Sequence, residues 1–244
     1  MRPWTTQIST IYRRCKSVNP PGSANSPPGA RAKPLLRGWS HALATLGAIA
    51  LTFALCLRTL DDPPRFLSMV IYGLSMVELF AVSAIYHIGT WEPWTRRKLR
   101  AMDHASIFVL IAGTYTPLCF NVLGGWLRVT SLVVIWLLAA TGVALSAFTT
   151  RLPRWVGTGI YIGMGWASIL ALPSLLAALP PEAVWLLFLG GVAYTLGGVI
   201  YALKKPDPAP NVLGFHEIFH LLVIAGATIH AVVVWSWIVP FPRS

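Results

Sequence analysis

The 244-residue sequence predicts an all-α integral membrane protein, a seven-transmembrane-helix bundle with its amino terminus cytoplasmic and its carboxyl terminus outside. Three observations carry that expectation. Apolar residues make up 55% of the chain and charged residues 11%, against about 25% charged in a soluble domain. The apolar residues gather into seven runs of 19 to 26 residues, each able to cross about 30 Å of hydrocarbon as a helix. The basic residues then fall mainly to one side of those runs. An ordinary soluble enzyme is excluded, and the runs lack the strict alternation of a transmembrane barrel.

Residues 1–38 precede the first run and hold seven Lys or Arg, no acid, and Pro-Pro pairs at 20–21 and 27–28. Such a stretch buries too little apolar surface to offset its ordering entropy and reads as a disordered tail. Its Arg-rich, acid-free start is also similar to an organelle transit peptide, and it has no secretory apolar region. The membrane domain, 39–244, carries runs at 39–57, 66–88, 104–123, 129–148, 155–178, 184–203 and 214–239. Short polar breaks separate them: Arg58 to Arg65 with Asp61-Asp62-Pro63-Pro64, Trp91 to Arg100, Gly124-Gly125, Arg151 to Arg154, Pro180-Pro181-Glu182, and Lys204 to Pro210. The spacings Gly159-x3-Gly163 and Gly142-x3-Ser146 permit close helix packing.

Seven spans put the chain ends on opposite sides, and charge decides which is which. Fifteen Lys or Arg lie on the amino-terminal side and four on the other, so the positive-inside rule makes the amino terminus cytoplasmic. The net charge of +11 is likewise explained by membrane lipids, because the basic clusters sit between apolar runs where anionic headgroups supply the counter-charge. No aromatic-interleaved basic stripe points to nucleic acid. Cys15, Cys56 and Cys119 are odd in number and far apart, which indicates neither a disulfide framework nor a thiolate metal site.

An ionisable side chain within a span is costly and marks a site or a specific pairing. The candidates are His41, Glu78, His87, Asp103, His104, His216, Glu217, His220 and His230. Alternating spans bring the end of the second run, with His87, to the level where the third begins with Asp103 and His104. The seventh begins there too, with His216 and His220. These last two are i and i+4, about 40° apart around a helix, so both can hold one metal. Imidazole suits zinc, and a catalytic zinc takes three protein ligands. His87 is the natural third. Ser83 lies one turn before it on the same face, and Asp103 is placed to orient or deprotonate water. Taken singly, Asp103 is equally an N-cap for the helix that follows it.

His216-Glu217-Ile218-Phe219-His220 also reads as H-E-x-x-H, in which the Glu is a general base. His230 lies about 15 Å beyond His220 along the helix and has a packing role. Glu78 is about 180° around the helix from His87 and near mid-bilayer, hydrogen-bonded on another face with no partner legible.

The same residues carry a family resemblance. Ser83-Ala-Ile-Tyr-His87, Met102-Asp103-His104-Ala-Ser-Ile and Ile111-Ala-Gly-Thr-Tyr-Thr-Pro117 resemble the hemolysin III family of bacterial membrane proteins. So do Tyr161-Ile-Gly-Met-Gly-Trp166, Gly190-Gly-Val-Ala-Tyr-Thr195 and Phe215-His-Glu-Ile-Phe-His220 with His230. The resemblance runs from about Ser40 to the last helix. It implies kinship with the progestin and adipoQ receptors and, more distantly, the alkaline ceramidases. It also implies seven helices, a multi-pass place in the bacterial inner membrane, and an intramembrane zinc. On that basis the metal ligands fall on His87, His216 and His220, with Asp103 and Ser83 as catalytic residues near a zinc-bound water.

Two functions are then open. One is a zinc-dependent hydrolase acting on a lipid amide. The other is a non-enzymatic, receptor-like or cytolytic membrane protein in which zinc only ties helices together.

Overall fold

The computed structural model describes residues 34, 36–148, 153–209 and 212–242. The expected tail therefore falls, up to Lys33, outside the described residues. Seven helices are long and apolar enough to cross a membrane. They are α1 (Trp39–Leu57), α2 (Pro63–Ile88), α3 (Pro93–Val122), α4 (Gly125–Phe148), α5 (Arg154–Ala178), α6 (Pro181–Leu203) and α7 (Phe215–Ile238). The architecture is the all-α membrane bundle read from the sequence.

Local chemistry sets the helix starts. Pro63 and Pro64 open α2, with Asp62 as N-cap accepting from the Arg65 backbone N–H at 3.1 Å. Pro93 opens α3 and Pro181 opens α6, because a first-turn proline lacks only an N–H that would have no helical partner. As a result α3 begins eleven residues before the apolar run at 104, and most of the break Trp91 to Arg100 is helix. Arg and Lys are good helix formers, so the helix persists through polar sequence once Pro93 has started it. α5 is interrupted by a 3-10 stretch, Ala167–Ala171. Pro173, just beyond it, offers no N–H to the carbonyl four residues back, and the preceding turn tightens.

Burial divides the helices. About half of the apolar lengths of α2 and α3 (50% and 56%) and 39% of α7 are buried, against 11–17% for the other four. The three inner helices are those bearing the candidate site residues. α2 packs against α1 and α3, α3 against α4 and α5, and α6 against α5 and α7, while α1 also meets α7. At Gly113 an added Cβ would lie 2.1 Å from Ser75 Oγ. Only glycine permits that approach, which sets the spacing of α2 and α3. Gly142 seats the Phe108 ring of α3 against α4. The Gly159/Gly163 pair is different: both face outward, with nothing within 4 Å of an added Cβ. That expected close packing is not made within the described residues.

The opposite end of the bundle is held by charge. Arg65 forms an ion pair with Asp62 at 3.3 Å and donates to the carbonyl oxygens of Val239 and Phe241 beyond α7. Arg58 lies over the Trp235 ring, 4.3 Å from its centroid, and donates to the Trp235 carbonyl at 3.1 Å. Trp39, Trp94, Trp126, Trp155 and Trp185 stand exposed near helix ends, where an amphipathic ring meets the membrane interface.

A candidate metal site of three histidines

α2 ends, and α1, α3 and α7 begin, at one end of the bundle, and there the polar side chains converge. One ring nitrogen from each of His87, His216 and His220 lies within 4.8 Å of the others. His87 Nε2 and His216 Nε2 are 3.1 Å apart. His87 and His220 are buried and His216 is half-buried. The Nδ1 of His220 has no hydrogen-bond partner among the described residues. The structure thus brings together the three residues named from their spacing, in a set that could hold a metal ion.

Asp103 sits beside this set. It is the eleventh residue of α3, inside the helix, so it cannot be the N-cap that its place before the apolar run allowed. Its Oδ2 lies 3.8 Å from His87 Nε2, and the Ser83 hydroxyl stands beside its carboxylate. Ser83 and His87, one turn apart on α2, thus both face Asp103 across the α2–α3 contact. His104 turns away, its Nδ1 2.8 Å from the Arg100 carbonyl of its own helix.

Two features escaped the sequence reading. His41, in the first turn of α1, stacks on His220 with ring centroids 3.8 Å apart and planes 11° from parallel. Phe80 meets its ring edge-on at 5.1 Å. Both His41 nitrogens are buried, with no hydrogen-bond partner among the described residues. Parallel stacking keeps them from converging on the point shared by the other three. The signal was its depth, since His41 opens a helix at the same end as His216.

The second feature is a clamp. Arg37, just before α1, meets Glu217 at 2.6 Å, and Glu217 also accepts the Gly214 N–H at 2.9 Å. Gly38 follows with φ +87°, and an added Cβ there would lie 3.0 Å from His87 Cβ. Only glycine both adopts that backbone and lets the chain cross so closely over His87. The carboxylate of Glu217 is therefore committed to the α7 amino terminus and to Arg37. It is not arranged as the general base of an H-E-x-x-H motif.

Two ionisable residues lie elsewhere. His230 fits against Gly190 of α6 and Tyr194, with Nδ1 2.8 Å from the Gly226 carbonyl. Glu78 points away from the bundle and is exposed, and the hydrogen bond expected of it is not made among the described residues. The clamp has a testable consequence. Glu217→Gln keeps an oxygen for Gly214 but leaves Arg37 without its opposite charge. It should cost about 1–3 kcal/mol in thermal or denaturant unfolding while bound metal is unchanged, and loss of metal with full stability would contradict this assignment.

The family model described as Haemolysin-III related matches residues 30–231. A hemolysin-3 homolog of Bacillus subtilis (strain 168) is 38% identical over 160 residues, covering 66% of this chain and 72% of that protein. Hemolysin-3 of Bacillus cereus is 33% identical over 174 residues, 71% of this chain and 76% of its own length. The human monocyte to macrophage differentiation factor is 28% identical over 220 residues, 84% of each chain. With seven membrane-spanning helices, a three-histidine cluster at one end and a family match across most of its length, this chain belongs to the Haemolysin-III related family of multi-pass integral membrane proteins.

Proposed function

We propose that the protein is a zinc-dependent hydrolase of a lipid amide, with its site at the cytoplasmic face of a bacterial inner membrane. The observation that carries this reading is the three-imidazole cluster with a carboxylate and a hydroxyl beside it. Zinc fits the donor set. Two ligands at 2.0–2.1 Å in a tetrahedron are about 3.3 Å apart, close to the 3.1 Å between His87 Nε2 and His216 Nε2. The unpartnered His220 Nδ1 is in keeping with a site whose full set of partners includes an ion. His87, His216 and His220 would hold it, with the Asp103 carboxylate beside them.

When bound, zinc supplies Lewis acidity toward a carbonyl oxygen and makes water more acidic. Asp103 accepts the proton of the attacking water as its oxygen bonds to the amide carbon. It returns that proton to the amine nitrogen as the carbon–nitrogen bond breaks. Ser83, beside the carboxylate on α2, is placed to donate to it and orient it. His41 covers one face of His220 and keeps water from it. The substrate comes from the lipid phase, as expected for groups at the ends of membrane-spanning helices.

One observation favours a second reading, a receptor-like or cytolytic protein with a structural ion. His220, His87 and Ser83 are 2%, 8% and 3% exposed, which is close cover for a site that must admit a lipid. Turnover separates the two.

Zinc content tests the site first. The His216→Ala, His220→Ala double variant should lose the zinc found by elemental analysis of the purified wild type, and its unfolding temperature should fall. Full retention of zinc would remove these residues from the site. Asp103→Asn tests the chemistry, because the amide keeps the shape but accepts no proton. Lipid-amide turnover should fall by roughly 10²–10⁴-fold with zinc and helicity unchanged. Unaltered turnover would take Asp103 out of the mechanism, and no wild-type turnover on a broad panel of lipid amides would favour the structural ion. Sidedness is checked with reporter fusions after Lys204 and at Ser244, which should report cytoplasm and exterior respectively; a common side would refute this orientation.

A further inference from the structure

Glu78 lies within the apolar length of α2, about 15 Å along the axis from Ile88 and about 22 Å from Pro63. A helix of 26 residues is about 39 Å long against about 30 Å of hydrocarbon, so Glu78 is about 10 Å inside the nearer boundary. Its side chain is exposed, and no described residue hydrogen-bonds or ion-pairs with it. Ionisable groups at such depth normally turn inward to a partner or a wet cavity. This one turns outward. At 100° per residue it lies opposite the buried face formed by Met69, Tyr72, Met76, Ser83 and His87.

The residues around it form a pattern. Leu67, Ile71, Leu74, Glu78, Ala81 and Ile85 follow one another at intervals of four and three, the a/d spacing of two helices that coil together. Leu67, Leu74 and Ile85 are exposed, and Ile71 and Ala81 are half-buried. A single polar residue in such a seam is a known device for fixing register and partner. Ala81, beside Glu78 in the stripe, is small enough for two backbones to approach.

We propose that this stripe is a self-association surface, on which α2 of one copy packs against α2 of a second copy and the two Glu78 carboxyls hydrogen-bond to each other. A second copy is the occupant that the geometry favours. Two copies inserted the same way and related by a two-fold axis along the membrane normal present every residue at the depth of its own counterpart, so Glu78 meets Glu78 without any further adjustment. An un-ionised carboxyl is both donor and acceptor, so a pair of them is self-complementary, and in hydrocarbon no water competes. Nearer the other end of the seam, Leu67, Ile71 and Phe120 line a groove of about 380 Å³ between α2 and α3 that can receive an apolar side chain of the partner.

The test uses the full chain reconstituted in phosphatidylcholine vesicles, with energy transfer between labelled copies followed as protein is diluted in lipid. The wild type should associate, and Glu78→Leu should weaken association about tenfold or more, the scale of two interhelical hydrogen bonds in a bilayer. Glu78→Gln should retain part of it, since an amide still donates and accepts. Leu74→Trp should block the seam with Glu78 in place. Both positions are exposed within a single copy, so helicity should match the wild type in all three. Wild-type association in Glu78→Leu or in Leu74→Trp would overturn the proposal, as would a wild type monomeric at every dilution. Association abolished instead by Gly163→Leu, on the outward face of α5, would overturn it too.

Discussion

Hydrocarbon offers a polar side chain no water, so each must find a partner within the chain, within the membrane, or at the interface. That constraint arranges this protein. Seven helices satisfy their own backbones, and their apolar surfaces face lipid. Apart from Glu78 and His230, the ionisable side chains of the spans gather by depth into two layers near the helix ends. One layer is mechanical: Arg58, at the end of α1, and Arg65, in the first turn of α2, hold carbonyls at the end of α7 and just beyond it. The other holds the four imidazoles of His41, His87, His216 and His220 with Asp103 and Ser83. Neither layer would be stable on helices free to shift along their axes. The Gly113–Ser75 contact and the Arg37–Glu217 clamp are therefore part of the site as much as its rings are.

Depth was legible in the sequence and azimuth was only partly so. Seven apolar runs fix which helix ends share a level, and the i, i+4 spacing of His216 and His220 fixes one face of α7. Those two facts located the three-histidine cluster without coordinates. The rotation of α1 about its axis follows from its contacts with α2 and α7, so His41 had the right level but no visible reason to stack on His220. The start of α3 was misplaced because apolar runs mark where hydrocarbon begins, whereas a helix goes on through polar sequence until a cap or a proline stops it. That same error made Asp103 look like a possible N-cap, when ten residues of helix precede it. The outward-facing glycines of α5 show the converse limit: a small-residue spacing permits close packing but does not say against what.

The H-E-x-x-H string shows how a motif can match in letters and differ in geometry. In such a helix the two histidines share a face, and the intervening glutamate, 100° from the first, is free to serve the metal only if nothing nearer claims it. Here Glu217 is the third residue of α7, where the unpaired backbone N–H groups of a helix start attract a carboxylate. It takes the Gly214 N–H and then Arg37, a residue 180 positions earlier whose approach no local pattern reveals. With that carboxylate committed, Asp103 is the acid that remains beside the cluster, and it comes from a different helix. If the site is hydrolytic, its base is carried on α3 while its metal is held by α2 and α7. Its geometry then depends on helix packing and not on a single contiguous motif, which is the reason the close approach of α2 and α3 at Gly113 bears on function and on stability alike.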